Sequence, residues 1–475
     1  MLWDVKTGKI AMVTNLQEVG GMKCLKYWPS SGKVKTFRKI KIELIEEDVL
    51  AHFTIRTLKI TKDECGSRTI KQYHYTSWPD KGVPIDMASL VEFRNKVNKS
   101  RTRHPGPLVV HCSAGIGRTG TFLALDYLIE EGKAEGSVDV FKCISQMRRE
   151  RVNMVQTNDQ YVFLHEAILE WYIAGDTTTT VTSYQGVYQD LLKVKQSSGK
   201  CELEEKFEMM NQVCPKYTDA DYSTALLREN RNKNRIGTIL AYEKARPYLS
   251  ITVPNTTDYI NAVYIPSYRR KRAYILTQTP LPNTVIDFWR MVIQTESQTI
   301  VDLDYGQNKN KGVGQYLPRD KPLNCEPFTI TKTEEIQQEF YTIITCQVTS
   351  TSQDNNLDQT VRIYQCTFWK GRDNTPKSSS PLFTLLEHIQ TWKYDQTENP
   401  IIVHCRTGVD KGGLLCVLAA ILERSTIEQD VSVLQTIIQL RVSRPQIITC
   451  YEQVKFCFDA IGNYLDHFSM YANSC

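Results

Sequence analysis

A chain that writes the same stretch twice is constrained to fold as a tandem of one architecture, and this chain does so. Val109-Val110-His111-Cys112 recurs as Ile402-Val403-His404-Cys405. Upstream, Tyr27-Trp28-Pro29 recurs more weakly as Tyr316-Leu317-Pro318. Downstream, Met147-Arg148 through Gln160-Tyr161 recurs as Leu440-Arg441 through Gln453-Val454. The spacing holds as well, since 44 residues separate Cys112 from Gln156 and also Cys405 from Thr449. Internal repetition decides the architecture before any argument about single residues.

The two copies differ in extent. Met1-Leu2-Trp3 matches Met291-Val292-Ile293, but about a hundred residues of the second copy precede that point. They run through Tyr188–Leu192, Lys233-Asn234-Arg235, Asp258–Ala262 and Gln278-Thr279-Pro280, and the first copy has no counterpart. The expectation is a first domain that lacks its beginning, with Met1 inside the amphipathic helix that the second copy writes as Asp287-Phe288-Trp289-Arg290-Met291. A domain that is naturally short is the alternative. A sheet left half covered exposes apolar surface and open edges, so the first domain is expected to fold poorly. The domains read as 1–174, a polar β-branched linker over 175–183, and 184–475.

Within the first copy, residues 39–45, 52–60 and 69–75 alternate apolar and polar side chains, as strands do. Residues 87–97, 121–131, 138–148 and 159–172 read as helices. Strands flanked by helices make an α/β (α+β) fold. With 475 residues, 41% of them hydrophobic, there is material for two substantial cores. A net charge of +5 suits an anionic ligand and does not call for nucleic acid. Fourteen cysteines lie without metal-ligand spacing or a compact disulfide framework, which points to reduced thiols in a reducing compartment. No secretory signal opens the chain, and its longest apolar run, 413–422, is shorter than a bilayer span of about 20 residues.

The stretch from Pro107 to Gly120 carries the chemistry. It reads as a buried strand, a small-residue loop and a helix start. Such a loop turns backbone N–H groups inward as an anion-binding nest, with the positive helix end behind it. Cys112 stands at its entrance and Arg118 at its exit. The field that holds a phosphate also favours a thiolate, and the planar guanidinium fork suits two phosphate oxygens.

His111-Cys112-Ser113-Ala114-Gly115-Ile116-Gly117-Arg118-Thr119-Gly120 resembles the signature loop of the protein tyrosine phosphatases nearly residue for residue. The whole chain is similar to the cytoplasmic region of a receptor-type tandem member. The resemblance implies two domains, each a highly twisted mixed sheet flanked by helices. It implies hydrolysis of phosphotyrosine in proteins, in signal transduction, through a cysteinyl phosphate. Two in-line displacements need no metal and no cofactor.

Roles follow by the same resemblance. Cys112 is the nucleophile, and Arg118 with the loop from Ser113 through Gly117 holds the phosphoryl oxygens. Thr119 assists the sulfur as it leaves, and His111 tunes and orients Cys112. Tyr75-Thr76-Ser77-Trp78-Pro79-Asp80 matches the acid loop; taken alone, Trp-Pro-Asp is a turn that arises by chance. Asp80 would be the general acid and then the base. Gln156 and Gln160 would place the hydrolytic water; without the resemblance they read as a helix cap. Arg151 would be a support. Relatives place a glutamate after Trp-Pro to pair with the signature arginine, yet residues 28–37 hold none, so Arg118 is expected to be poorly held. Implied partners are phosphotyrosine proteins, at the inner side of the plasma membrane, with a membrane link only through a segment absent from this chain.

The second copy keeps Cys405 but writes Lys411 for the arginine, Asp410 beside it, Gly412 for the threonine, Phe368-Trp369-Lys370-Gly371 for the acid loop and Thr449 for Gln156. It reads as an inactive domain with regulatory or docking roles. Two other readings of the whole chain stand beside the enzyme: a non-catalytic docking protein, because the first domain is incomplete, and a dual-specificity or lipid phosphatase. The acid loop and the tandem arrangement speak against the latter.

Overall fold

The computed structural model describes residues 1–174, 178–305, 312–350, 358–371, 373–394 and 398–472. They form two compact units, Met1–Asp176 and Thr177–Cys475.

The first unit opens with β1 (Lys9–Met12) and a short hairpin, β2 (Gln17–Glu18) and β3 (Gly21–Met22). Four antiparallel strands follow: β4 (Val34–Phe37), β5 (Ile40–Val49), β6 (Phe53–Lys62) and β7 (Gly66–Tyr75). Then come α1 (Met87–Lys99), β8 (Val109–His111), α2 (Gly117–Glu135), α3 (Val140–Glu150) and α4 (Asn158–Ala174). The sheet order is β4-β5-β6-β7-β1-β8, with β1 parallel to both β7 and β8.

The alternation read in the sequence buries one set of strand side chains. Ile42, Leu58, Ile60 and Ile70 pack with Ile10, Met12 and Trp28. Phe93 of α1 meets Phe53, Tyr75 and Phe122 of α2 ring to ring at 5.4–5.6 Å. Helix starts follow their caps. Asp86 accepts the N–H of Ser89 at 3.1 Å before α1, and Asp139 that of Lys142 at 2.8 Å before α3. Residues 2–6 are turns, not the helix that the match with the second copy led one to expect; so few residues do not repay helix nucleation.

The second unit continues with β9 (Thr179–Thr180), α5 (Tyr184–Leu191), α6 (Glu202–Gln212), α7 (Ser223–Leu226), β10 (Ala262–Ile265), β11 (Tyr274–Gln278), α8 (Val285–Gln294), β12 (Thr299–Asp302) and β13 (Leu323–Cys325). After these come β14 (Phe328–Gln337), β15 (Tyr341–Ser350), β16 (Asp358–Cys366), α9 (Ser380–Tyr394), β17 (Ile401–Cys405), α10 (Asp410–Glu428), β18 (Asp430–Val431), α11 (Val433–Ser443) and α12 (Tyr451–Ala472). Of the stretch read as a linker, 175–177 lie outside the described residues, and β9 pairs antiparallel with β18.

Its sheet has eight strands in the order β10-β11-β17-β12-β16-β15-β14-β13. The core β16-β12-β17 repeats β7-β1-β8, with the same parallel pairing. The difference lies beyond it. β17 has β11 on its far side, and all of Ile401–Cys405 is buried. β8 ends its sheet, and Val109–His111 is half-buried.

Candidate active site

β8 delivers the chain to Cys112, and the loop closes onto α2 at Gly117. Gly115 has φ +72°, a left-handed conformation that turns its N–H inward, and that N–H donates to Cys112 Sγ at 3.2 Å. The neutral thiol pays for burial only when it ionises, so burial pushes its pKa up. The Thr119 hydroxyl and hydrogen bonds from the N–H groups of Thr119, Gly115 and Ile116 outweigh that and bring Cys112 below the ordinary cysteine value. The Thr119 hydroxyl is buried, and among the described residues it makes no hydrogen bond of full geometry, so its pull on the sulfur is that of a polar neighbour.

Arg118 is held firmly, contrary to the expectation drawn from residues 28–37. Its Nη2 donates to Glu18 Oε2 at 2.9 Å, and its Nη1 donates to the other oxygen of the same carboxylate. The glutamate comes from β2, ahead of Trp28 and not after it. The Glu18 side chain is 1% exposed and that of Arg118 15%, so this fork-to-fork pair is largely shielded from solvent. Arg118 also donates to Thr14 Oγ1 at 3.2 Å and to the Pro79 carbonyl at 3.1 Å.

The last bond docks the acid loop over the cup. Trp78 is buried, its indole N–H donating to the Gly82 carbonyl at 3.2 Å. Asp80 is exposed at the rim, where its carboxylate accepts the Val19 N–H at 2.6 Å. One hairpin, β2–β3, thus orients both the guanidinium and the acid.

The glutamine segment closes the third side. Val155 has φ +55° and donates its N–H to the Ile116 carbonyl at 3.2 Å. Arg148 secures this strained turn by donating to the Met154 and Val155 carbonyls at 2.9 and 2.7 Å. Gln160 Oε1 accepts the Gln156 N–H at 2.8 Å, and both glutamine side chains lie over Gly117, where a Cβ would meet them at 3.0–3.3 Å. Arg151 donates to the Ala114 carbonyl at 3.1 Å. His111 contacts the Tyr27 hydroxyl through Nε2 at 2.9 Å and the Cys112 carbonyl through Nδ1 at 3.3 Å; burial holds its pKa down.

A cleft of about 280 Å³ lies between these parts. Asp80, Cys112, Ser113, Ala114, Gly117, Arg118, Gln156 and Gln160 line it. Gly115 and Ile116 contribute N–H groups, Thr119 lies beside the sulfur, and His111 meets the Cys112 carbonyl. Sequence reasoning missed Thr14, Glu18, Lys23 and Asp159, which also line the cleft. Thr14 lies two residues past β1, whose partner strands are distant in sequence, so no local periodicity marks it.

The corresponding place in the second unit is built differently. Burial pushes Cys405 up and Asp410 pushes it further, and the loop N–H groups do not offset this. Lys411 Nζ donates to the Trp369 and Leu303 carbonyls at 2.6 and 3.3 Å, and among the described residues it pairs with no carboxylate. A Cβ at Gly412, the position of Thr119, would come within 2.4 Å of Leu276 from β11. Lys370 and Gly371 occupy the places of Pro79 and Asp80 in a loop pinned the same way, Trp369 donating to the Asp373 carbonyl at 3.0 Å. The two histidines keep one contact, since Tyr316 meets His404 Nε2 at 3.0 Å as Tyr27 meets His111.

Among the described residues no helix is long and apolar enough to cross a membrane. The protein-tyrosine phosphatase family model matches residues 1–170 and 230–463, once in each unit. The chain is 35% identical to human receptor-type tyrosine-protein phosphatase alpha over 483 aligned residues, covering 100% of this chain and 59% of that protein. Human receptor-type tyrosine-protein phosphatase epsilon is 35% identical over 481 residues, with 100% and 68% covered. The chicken receptor-type tyrosine-protein phosphatase U is 32% identical over 474 residues, with 98% and 33% covered. The chain thus spans about three fifths of the alpha relative and a third of the U relative. With the family model matched across both units, this chain belongs to the protein-tyrosine phosphatase family.

Proposed function

We propose that the first unit hydrolyses phosphotyrosine in proteins in two displacements at Cys112, and that the second unit is not catalytic. The observation that carries the reading is the convergence on one cleft of a thiol with lowered pKa, a guanidinium fixed by a buried carboxylate, and a carboxylate on a docked loop.

In the first step the Cys112 thiolate attacks phosphorus while Asp80 protonates the departing tyrosine oxygen. Leaving as a phenol in place of a phenolate is worth about 10²–10⁴-fold. Arg118 and the loop N–H groups hold the equatorial oxygens and gain most as charge spreads over them. In the second step Asp80 takes a proton from water placed by Gln156 and Gln160, phosphate leaves, and Thr119 donates to the sulfur as it departs.

Relatives named receptor-type support a place at the inner side of the plasma membrane, reached through a segment outside this chain, with the second unit in a regulatory or docking role. The test is hydrolysis of a phosphotyrosine peptide. Cys112→Ser is expected to abolish turnover and retain peptide binding. Turnover that survives Cys112→Ser overturns the reading.

A further inference from the structure

The loop that carries Asp80 is tied at both ends by one side chain. His52 lies in the short connection between β5 and β6. Its Nδ1 is 3.1 Å from the hydroxyl of Ser77, the residue before Trp78 at the loop's entry. Its Nε2 is 3.6 Å from the carboxylate of Asp86, the α1 cap at the loop's exit. The two side chains of this pair are only 18% and 14% exposed, so the contact is shielded. The backbone around it is fixed independently: the Thr76 N–H and hydroxyl donate to the His52 carbonyl at 2.9 and 3.1 Å. Asp86 is anchored in turn through the Ser89 N–H at 3.1 Å, and the Ser89 hydroxyl meets the Tyr75 hydroxyl at 2.7 Å.

The second unit supplies the internal control. Its Thr367 N–H and hydroxyl donate to the Phe340 carbonyl, both at 3.0 Å, which places Phe340 where His52 stands and Phe368 where Ser77 stands. The backbone frame is repeated, yet neither phenylalanine can make the side-chain tie. The loop that lacks the tie is the one with Gly371 in place of the acid. Tie and acid are present together in one copy and absent together in the other.

We propose that His52 is a positioning residue for Asp80, joining entry and exit of the acid loop so that the carboxylate meets the leaving oxygen. The proposal rests on Asp80 as general acid. A mispositioned acid slows departure of a poor leaving group and spares a good one, because only the poor one needs the proton.

The test uses the full chain with phenyl phosphate and 2,4-dinitrophenyl phosphate. For His52→Phe, which copies the second unit, kcat/KM on phenyl phosphate, which reports the first displacement alone, is expected to fall about 10- to 100-fold, in the range a misplaced group costs. On the dinitrophenyl ester it is expected to fall less than about threefold. Ser77→Ala removes one half of the tie, so it should give a smaller loss with the same selectivity, and it serves if His52→Phe does not fold. Equal losses on both esters, or none, overturn the proposal. Asp80→Ala separates the two claims. If it too lacks selectivity, or if the chain has no turnover, the general-acid reading fails and this proposal fails with it.

Discussion

At the residue scale, two cysteines in loops of one design are driven in opposite directions. Cys112 and Cys405 both end a parallel strand and both face a ring of N–H groups. One has a threonine hydroxyl and no acid beside it; the other has Gly412 and Asp410. The sign follows. A lowered pKa leaves Cys112 ionised at a pH where Cys405 is still protonated, so its alkylation by iodoacetamide should level off at a lower pH. Mass spectrometry of the two peptides across a pH series should give midpoints on either side of the ordinary cysteine value of about 8.5. Thr119→Ala should move the Cys112 midpoint upward; coinciding midpoints would refute the account. Glu18 supports a second expectation. Glu18→Gln keeps the shape but removes the charge facing Arg118, and kcat/KM on a phosphotyrosine peptide should fall about 10- to 100-fold, as misplacement of a binding group does. Cys112, Arg118 and Asp80 were legible in the sequence because a single loop or turn writes each signature. Glu18 was not, because its contact with Arg118 spans 100 residues and it sits on a two-residue strand without periodicity.

At the element scale, the first unit's helices from α1 on and its strands β5–β7 followed from the sequence to within a few residues, because their burial patterns are periodic. β1 was missed. Its four residues, Lys9–Met12, are too few to reveal a period, and its place between β7 and β8 is set by the sheet. The same topology makes β8 an edge and β17 an interior strand. Hydrogen exchange should therefore be at least ~10-fold faster over 109–111 than over 401–405, since exposed ladders open at low cost; equal protection would contradict the difference. α4 carries a pH response. Burial, with Asp86 adding to it, raises Glu170 to about 8 in the folded chain. The folded state then holds a proton that the unfolded state, near 4.5, has released. Glu170 stabilises the fold fully below about pH 4.5, and that contribution is lost as pH rises through about 8. Glu170→Gln should raise the first unit's Tm at pH 9 and change it little at pH 5, and an unchanged Tm at pH 9 would sink the assignment.

At the scale of the whole molecule, one architecture is used twice, and Arg118, Thr119 and Asp80 of the first copy face Lys411, Gly412 and Gly371 at the same places in the second. The duplication was visible in the sequence because His-Cys and the 44-residue spacing survive in both copies. What the sequence left open was how the second site is filled. Leu276 of β11 stands where a hydroxyl would reach the sulfur, and Lys411 is spent on two carbonyls. Restoring Lys411→Arg alone should thus yield no turnover in a chain that also carries Cys112→Ser, and measurable hydrolysis would mean the second site is nearer to activity than its geometry allows. The most direct measurement is an acid quench of the full chain during turnover of an aryl phosphate, followed by peptide mapping for a phosphoryl group on sulfur. The phosphoryl group is expected on Cys112 alone. A phosphoryl group on Cys405, or turnover with none on Cys112, would contradict this expectation.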